Sequence, residues 1–425
     1  MKDRVLIVGA GHAGARCALA VREQGWQGEL VLIGEEADCP YERPPLSKAV
    51  LQHGADPADA TILSLARASE LGIRMLRGET VVGIDPGRHE VRLGSAHLAF
   101  HYTHLVLATG SRPRTLPVPG TDLAGVHTLR TAADARTLAP ALRPGASVVL
   151  IGGGFIGLEV AASALLRGCR VTVLETAPQL LARVLNFAIA GRMAALHRSR
   201  GVDIRLGVRI VALEGLQSVR RVRLADGETI DADLVIVGVG ALANDGLPTS
   251  AGMACADGVI VNNRAQTTAP QVLAIGDLAR HQSLYSARNI RLESWENAEL
   301  QARVAACTIA GTEPEPRGVP WFWTDQFDVN LQILGFPRSS DDIVMRGDFE
   351  SPSWCAFMMA EGRITGACLA NAGRERRVIA QLMARNQPVG RAELADTQRP
   401  LKSLLAPLPT SASAAAAAAA PAAGI

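Results

Sequence analysis

Continuous apolar runs alternate with helically spaced segments from the start of the chain. Arg4 to Val8 is one such run, glycines follow it, and Ala13 to Glu23 places its apolar residues at helical intervals. Glu29 to Ile33 is a second run. A strand that is apolar at every position is buried on both faces, so this β-glycine-α-β order predicts an α/β unit with a parallel sheet. The order returns later, with Ser147 to Ile151 as strand, glycines, Phe155 to Leu166 as helix and Arg170 to Leu174 as strand. Two copies of one nucleotide-binding unit predict two nucleotide sites. Leu105 to Ala108, Leu234 to Val239 and Val272 to Ile275 read as further buried strands that run into glycines. Such strands deliver loops to the carboxyl edge of a sheet, where ligands bind.

Val148 to Leu166 is nearly all apolar and resembles a membrane span in hydropathy, but four of its residues are glycines, which predicts a turn instead. After about Arg317 the texture changes. Trp321, Phe322, Trp323, Phe327 and Trp354 are among the aromatic residues gathered there. Alternating segments at Val329 to Leu334, Asp342 to Met345 and Ala356 to Met359 predict a small α+β domain with an antiparallel sheet. From Pro407 the chain turns to Pro, Ser and Ala, which predicts a disordered tail over 407–425.

At 425 residues the chain exceeds one hydrophobic core. Its 48% apolar and 20% charged residues exclude wholesale disorder. A net charge of +2 provides no global field for nucleic acid or an anionic membrane, so neither is expected as a partner. The only lysines are Lys2, Lys48 and Lys402, which singles out Lys48 in an arginine-rich chain. The seven cysteines are scattered without C-x-x-C spacing. That pattern reads as reduced thiols in the cytoplasm and excludes both a redox dithiol and a zinc cluster, so no metal site is expected. No secretory leader is expected, since the N-terminus lacks a basic segment followed by an apolar core.

Gly9-Ala10-Gly11-His12-Ala13-Gly14 is G-x-G-x-x-G between a strand and a helix. The first glycine permits the tight turn and the second lets backbone approach a pyrophosphate. The third packs helix against strand, while the helix N-terminus supplies N–H groups. Glu35 lies 21 residues past Gly14, where a carboxylate accepts hydrogen bonds from a ribose diol. Gly152-Gly153-Gly154-Phe155-Ile156-Gly157 repeats the signal, with Glu175 18 residues beyond Gly157. An acid at that position repels a 2′-phosphate, so NAD is expected over NADP. Glu159 reads either as a solvent-facing residue near the helix start or as a group acting at the nicotinamide. Ala108-Thr109-Gly110 and Ala274-Ile275-Gly276-Asp277 each follow a buried strand, and the Asp277 carboxylate suits the hydroxyls of a ribityl chain.

With Tyr41-Glu42-Arg43-Pro44-Pro45-Leu46-Ser47-Lys48 added, the sequence resembles a known family. It is similar to the putidaredoxin reductase-like flavoproteins, the FAD-dependent NADH:ferredoxin reductases of bacterial ring-hydroxylating dioxygenase and cytochrome P450 systems. VLIVGAGHAG, PYERPPLSK, LVLATGSRPR, VVLIGGGFIGLEVA, LAIGDLA, RLESWENA and PWFWTDQ carry the resemblance, in order along the chain. It implies an α/β fold with two Rossmann-type nucleotide-binding domains, glutathione-reductase-like, plus a small α+β C-terminal domain. The limits expected are 1–112 and 240–317 for the FAD domain, 113–239 for the NAD domain and 318–406 for the last.

The resemblance also implies that Gly9, Gly11, Ala13, Gly14, Glu35, Arg43, Lys48, Val81, Arg130, Asp277 and Trp295 contact FAD. It implies NADH contacts for the Gly152 to Gly157 loop, including Gly154, Phe155 and Ile156, and for Glu159 and Glu175. Lys48 is implied to stand beside the flavin paired with Glu159, the two being the catalytic pair. The implied partner is a [2Fe-2S] ferredoxin or a rubredoxin, with Trp323 towards the exit side of the flavin. Arg303, eight residues past Trp295 and so near the same side of its helix, is expected to steer an acidic ferredoxin. Ala241-Leu242-Ala243-Asn244 departs from the family, which usually has a proline before the asparagine, and that leaves the loop's shape open. Two other functions compete: a single-cysteine NADH oxidase or peroxidase using Cys39, and a signalling flavoprotein similar to apoptosis-inducing factor. Cys39 lies four residues past Glu35, at the adenosine end, and four residues span at most about 14 Å, so the flavin ring is out of its reach and a buried structural thiol is expected.

Overall fold

The computed structural model describes residues 3–405 except 96–98, 284, 287, 316–317 and 338–340. The expected tail over 407–425 lies outside the described residues.

Five parallel strands form the first sheet, in the order Val272–Ala274, His104–Leu107, Arg4–Val8, Glu29–Gly34, Ile73–Arg77. Val5, Leu6, Ile7, Leu30, Val31 and Leu32 are fully buried, as continuous apolar runs require. Helix His12–Glu23 packs on this sheet and against helix Trp295–Ala310. Ala15, Ala18, Ala302 and Ala305 line that contact. Side chains this small let the two helices approach closely.

The second sheet repeats the plan with Asp203–Leu206, Arg170–Glu175, Ser147–Ile151, Leu234–Val237 and Val126–His127, again all parallel. The apolar stretch Val148 to Leu166 divides into strand Ser147–Ile151, a glycine turn and helix Phe155–Leu166. Among the described residues no helix is long and apolar enough to cross a membrane. The chain passes between the two units on an antiparallel pair, Ser111–Pro113 against Ala241–Ala243.

The third sheet is antiparallel, ordered Trp321–Gln326, Val329–Gly335, Arg363–Ala370, Trp354–Ala360, Asp342–Arg346. Its residues Leu331, Ile333, Trp354 and Met358 join one core with Leu158, Ala161 and Ile189 of the second unit and with Leu51. That shared core fixes the strand Trp321–Gln326 over the nucleotide-binding units.

Arg363–Ala370 escapes the hydrophobic pattern because Gly366 interrupts it. A Cβ at Gly366 would stand 2.9 Å from Pro337, so the glycine makes room for a neighbour and does not end the strand. Two three-stranded antiparallel sheets, Val81–Asp85 with Glu90–Leu93 and Ala99–His101, and Ile210–Gly215 with Val219–Leu224 and Thr229–Asp231, are also absent from the sequence reading. Their strands are short or charged, with Glu90 and Arg92 in one and Arg220, Arg221 and Arg223 in another, which weakens the apolar signal.

Candidate active site

One cleft of about 2080 Å³ runs across all three units. Gly9, at φ +108°, makes the first turn on its floor, and a Cβ there would stand 2.2 Å from the Ala108 carbonyl oxygen. Gly152, at φ +110°, makes the same turn in the second unit against the Gly238 carbonyl. Only glycine adopts such backbone at so close an approach.

Gly11, Ala13, Gly154, Phe155 and Ile156 line the cleft beside these turns. Space around Gly154 is open within 4 Å, and only the Arg43 guanidinium comes within 4 Å of a Cβ at Gly11. Both turns thus leave room for a pyrophosphate at a helix N-terminus. Gly14 and Gly157 were expected to contact the cofactors, but neither lines the cleft. A Cβ on either would strike the Gly9 or Gly152 carbonyl, at 1.9 and 2.2 Å, so their place is behind the turn, holding helix to strand.

Glu35, Arg43, Val81, Ala108, Thr109, Gly110, Arg130, Asp277 and Trp295 also line the cleft. Arg130 Nη2 pairs with Asp277 Oδ2 at 2.8 Å, and Ser111 Oγ donates to the same oxygen at 3.0 Å. Arg130 Nε is buried without a protein partner, a donor left over on the cleft wall. Arg43 Nη2 pairs with Glu36 Oε1 at 2.8 Å, and Nη1 donates to the Arg130 carbonyl. Burial works against the Arg43 charge, but Tyr41 and Glu36 outweigh it and raise its pKa. The unused donor, the open glycine turns and the acids at the strand ends fit a flavin dinucleotide in the first unit. Asn244, in the loop that lacks the proline, donates from Nδ2 to the Thr109 carbonyl at 2.8 Å, and Arg112 donates to its Oδ1 at 3.0 Å.

In the second unit Glu175 ends its strand and folds over the glycine turn. Its Oε2 accepts from the Gly153 N–H at 2.7 Å and its Oε1 from the Ala177 N–H at 2.8 Å. The acid is thereby fixed over the second glycine turn.

Lys48 follows the 3-10 turn Pro44–Ser47 and reaches the second unit. Its Nζ lies 2.8 Å from Glu159 Oε2 and 3.9 Å from Asp325 Oδ2. Glu159 is only 4% exposed, which removes the solvent-facing alternative. Its carboxylate accepts from Ser47 Oγ at 2.5 Å and Thr324 Oγ1 at 2.8 Å, and from the Asp325 N–H at 3.3 Å. A carboxylate has about four lone-pair sites, and these donors fill them.

Trp323 lines the same cleft. It meets Trp295 edge to face at 6.2 Å, and Trp321 stacks on its other side at 5.1 Å. The Arg376 guanidinium covers Trp321 at 4.1 Å from the ring centre. Arg303 lies outside the cleft lining, 58% exposed, with Nη1 3.7 Å from Glu299. Cys39 is half-buried, not buried as expected, because its segment runs past the end of the sheet at the surface. Its sulfur lies 3.9 Å from Arg77 and outside the cleft lining.

Sequence reasoning missed Ser47, Thr324 and Asp325 around Glu159, and Glu36 and Ser111 elsewhere. Ser47, Thr324 and Asp325 stand inside PYERPPLSK and PWFWTDQ, so the motifs marked them. Their shared acceptor, far off in the chain, could not be read. His12 was also missed: it lines the cleft, packs edge to face on Trp295 at 5.3 Å and pairs with Glu299 at 2.8 Å.

The family model of the pyridine nucleotide-disulphide oxidoreductases matches residues 3–302, and a reductase C-terminal model matches 321–405. A probable ferredoxin reductase, CtmF, of Castellaniella defragrans is 39% identical over 397 residues, covering 93% of this chain and 97% of that protein. Putidaredoxin reductase CamA of Pseudomonas putida is 36% identical, covering 95% of this chain and 97% of its own. Among solved structures, the covalent putidaredoxin reductase–putidaredoxin complex aligns with a TM-score of 0.92 at 36% identity, covering 98% of this chain and 99% of that one. The ferredoxin reductase for the CYP199A2 system of Rhodopseudomonas palustris aligns at 0.91 with 37% identity, covering 95% of this chain and all of that one.

Proposed function

Because the chain belongs to the pyridine nucleotide-disulphide oxidoreductase family, we propose that it is an FAD-dependent NADH:ferredoxin oxidoreductase. It takes electrons from NADH and passes them through FAD to a small [2Fe-2S] ferredoxin that feeds an oxygenase. Bound FAD supplies the chemistry of accepting a hydride and releasing electrons singly.

The observation that carries this reading is the pair of glycine turns, Gly9 and Gly152, opening into one cleft with Lys48 and Glu159 between them. Gly9, Gly11, Arg43, Arg130 and Asp277 are the groups we assign to FAD. Gly152, Gly154 and Glu175 are those we assign to NADH. Lys48 supplies a compact positive charge, and Glu159 with Asp325 holds that charge in place. Trp295, Trp323 and Phe322 are apolar walls that keep water from the reacting groups. The seven cysteines are scattered without C-x-x-C spacing, so we propose no disulfide chemistry for this chain. Unpaired thiols fit a reducing compartment, and we place the protein in the cytoplasm.

Anaerobic titration tests the reading. One equivalent of NADH should bleach the flavin absorbance, and oxidised ferredoxin should restore it. A flavin that NADH leaves oxidised would refute the assignment.

A further inference from the structure

Beyond Glu159, a line of buried polar side chains crosses the third unit and ends in the second. Thr324 Oγ1 lies 2.8 Å from Glu159 Oε1, Gln326 Nε2 lies 3.2 Å from Thr324 Oγ1, and His197 Nε2 lies 2.8 Å from Gln326 Oε1. Thr324, Gln326 and His197 are each 0% exposed. The strand Trp321–Gln326 supplies two of them, one on either side of Asp325.

The chemistry of the first link sets the direction of every other. An ionised carboxylate only accepts, so the Thr324 hydroxyl must donate to Glu159. Its oxygen then accepts from Gln326, which turns the amide NH₂ towards Thr324 and the amide oxygen towards His197. An amide oxygen only accepts, so His197 must carry its proton on Nε2. His197 Nδ1 is left as a bare lone pair, and that atom is buried with no partner. Burial holds the imidazole pKa below its ordinary value, against the hydrogen bond that His197 donates to Gln326, which keeps the ring neutral as this tautomer requires. Two further contacts fix the same strand. Trp323 Nε1 donates to Asp325 Oδ2 at 3.2 Å, and that carboxylate oxygen faces Lys48 at 3.9 Å.

We propose that Thr324, Gln326 and His197 are positioning residues: a buried relay of hydrogen bonds, all donated towards Glu159, by which the strand carrying Trp323 holds the carboxylate that holds Lys48. The relay ties the third unit to the hydride-accepting side of the site, so that the third unit both presents Trp323 and sets the Lys48 charge. Its effect on rate rests on the reading of Lys48 as the group beside the flavin; its effect on the His197 tautomer does not.

The experiment uses the FAD-loaded protein with ¹⁵N-labelled histidine. NMR should show a neutral histidine with Nε2 protonated and Nδ1 bare that is assigned to His197 by its loss in His197→Gln. Gln326→Leu should abolish the fixed tautomer. In stopped-flow, Thr324→Val should slow flavin reduction by NADH about tenfold, with the NADH Kd unchanged, and Thr324→Ser should restore it. An Nδ1-protonated His197 in the parent protein overturns the relay, whatever the variants do. A parent-like rate in Thr324→Val, or a loss that Thr324→Ser fails to repair, overturns the positioning role. Failure of ferredoxin reduction alone, with the tautomer and these rates as expected, would refute the proposed partner and leave the relay standing.

Discussion

Lys48 and Glu159, 111 residues apart in sequence, meet at 2.8 Å in the seam where all three units join. The lysine comes from the first unit, the glutamate from a helix of the second, and Thr324 and Asp325 of the third close over the pair. A lysine facing two carboxylates offsets their charge, so removing it exposes the site to two negative groups. Lys48→Met should therefore lower the flavin midpoint potential while FAD stays bound. For a two-electron couple, about 30 mV corresponds to about 1.4 kcal/mol, and a fall of that order or more is expected. Anaerobic titration against a reference dye measures it, and an unchanged potential would remove Lys48 from the mechanism.

Glu175 is fixed by the Gly153 and Ala177 N–H groups at the mouth of the second turn. Glu175→Ala should weaken NADH by about 1.5–3 kcal/mol, the range for hydrogen bonds to charged groups, and improve NADPH by removing a like charge. Steady-state kinetics with both nucleotides check this. A parent protein that already favours NADPH would contradict the assignment.

Arg303 is exposed and outside the cleft, whereas Trp323 lines it. Their substitutions should therefore separate docking from transfer. Arg303→Glu should raise the apparent KM for an acidic ferredoxin about threefold to tenfold, with a weaker salt dependence and unchanged NADH-to-ferricyanide turnover. Trp323→Ala should slow ferredoxin reduction more than it weakens binding. An Arg303→Glu protein that loses ferricyanide turnover to the same extent would locate the damage in the flavin site.

His197 is buried and its pKa is lowered from 6.5, first by burial, with Gln326 opposing. Below that ordinary value the unfolded chain binds a proton that the folded chain excludes. Stability from this group is thus present above about pH 6.5 and is lost as the pH falls from there towards the folded-state pKa. The melting temperature should drop on acidification through this range, and the drop should be smaller in His197→Gln. His104 and His127 are lowered in the same direction, again through burial, so a residual slope remains in the variant.

The inner strands of both parallel sheets were legible because they are apolar almost throughout and the glycine turns are demanded by backbone geometry. The edge strands Ile73–Arg77, Asp203–Leu206 and Val126–His127, charged or only two residues long, were not. Gly9 and Gly152 have positive φ and carbonyls where a side chain would be, so no other residue could mark those places as well. Glu159 was legible as a candidate but not as a buried one, because its partners come from Ser47, Thr324 and Asp325 on other units. Nothing local in the helix Phe155–Leu166 announces that a strand of the third unit lies across it. The central strand Arg363–Ala370 was hidden for a different reason: Gly366 imitates a loop in the sequence, and only packing against Pro337 shows why the glycine is there.

The most direct test of the function is cytochrome c reduction driven by NADH, with and without small iron–sulfur proteins from the same genome. The protein alone should reduce cytochrome c slowly, and at least one [2Fe-2S] ferredoxin should accelerate it by orders of magnitude with saturation at micromolar concentration. Equal rates with and without every ferredoxin, while NADH still bleaches the flavin, would contradict the account.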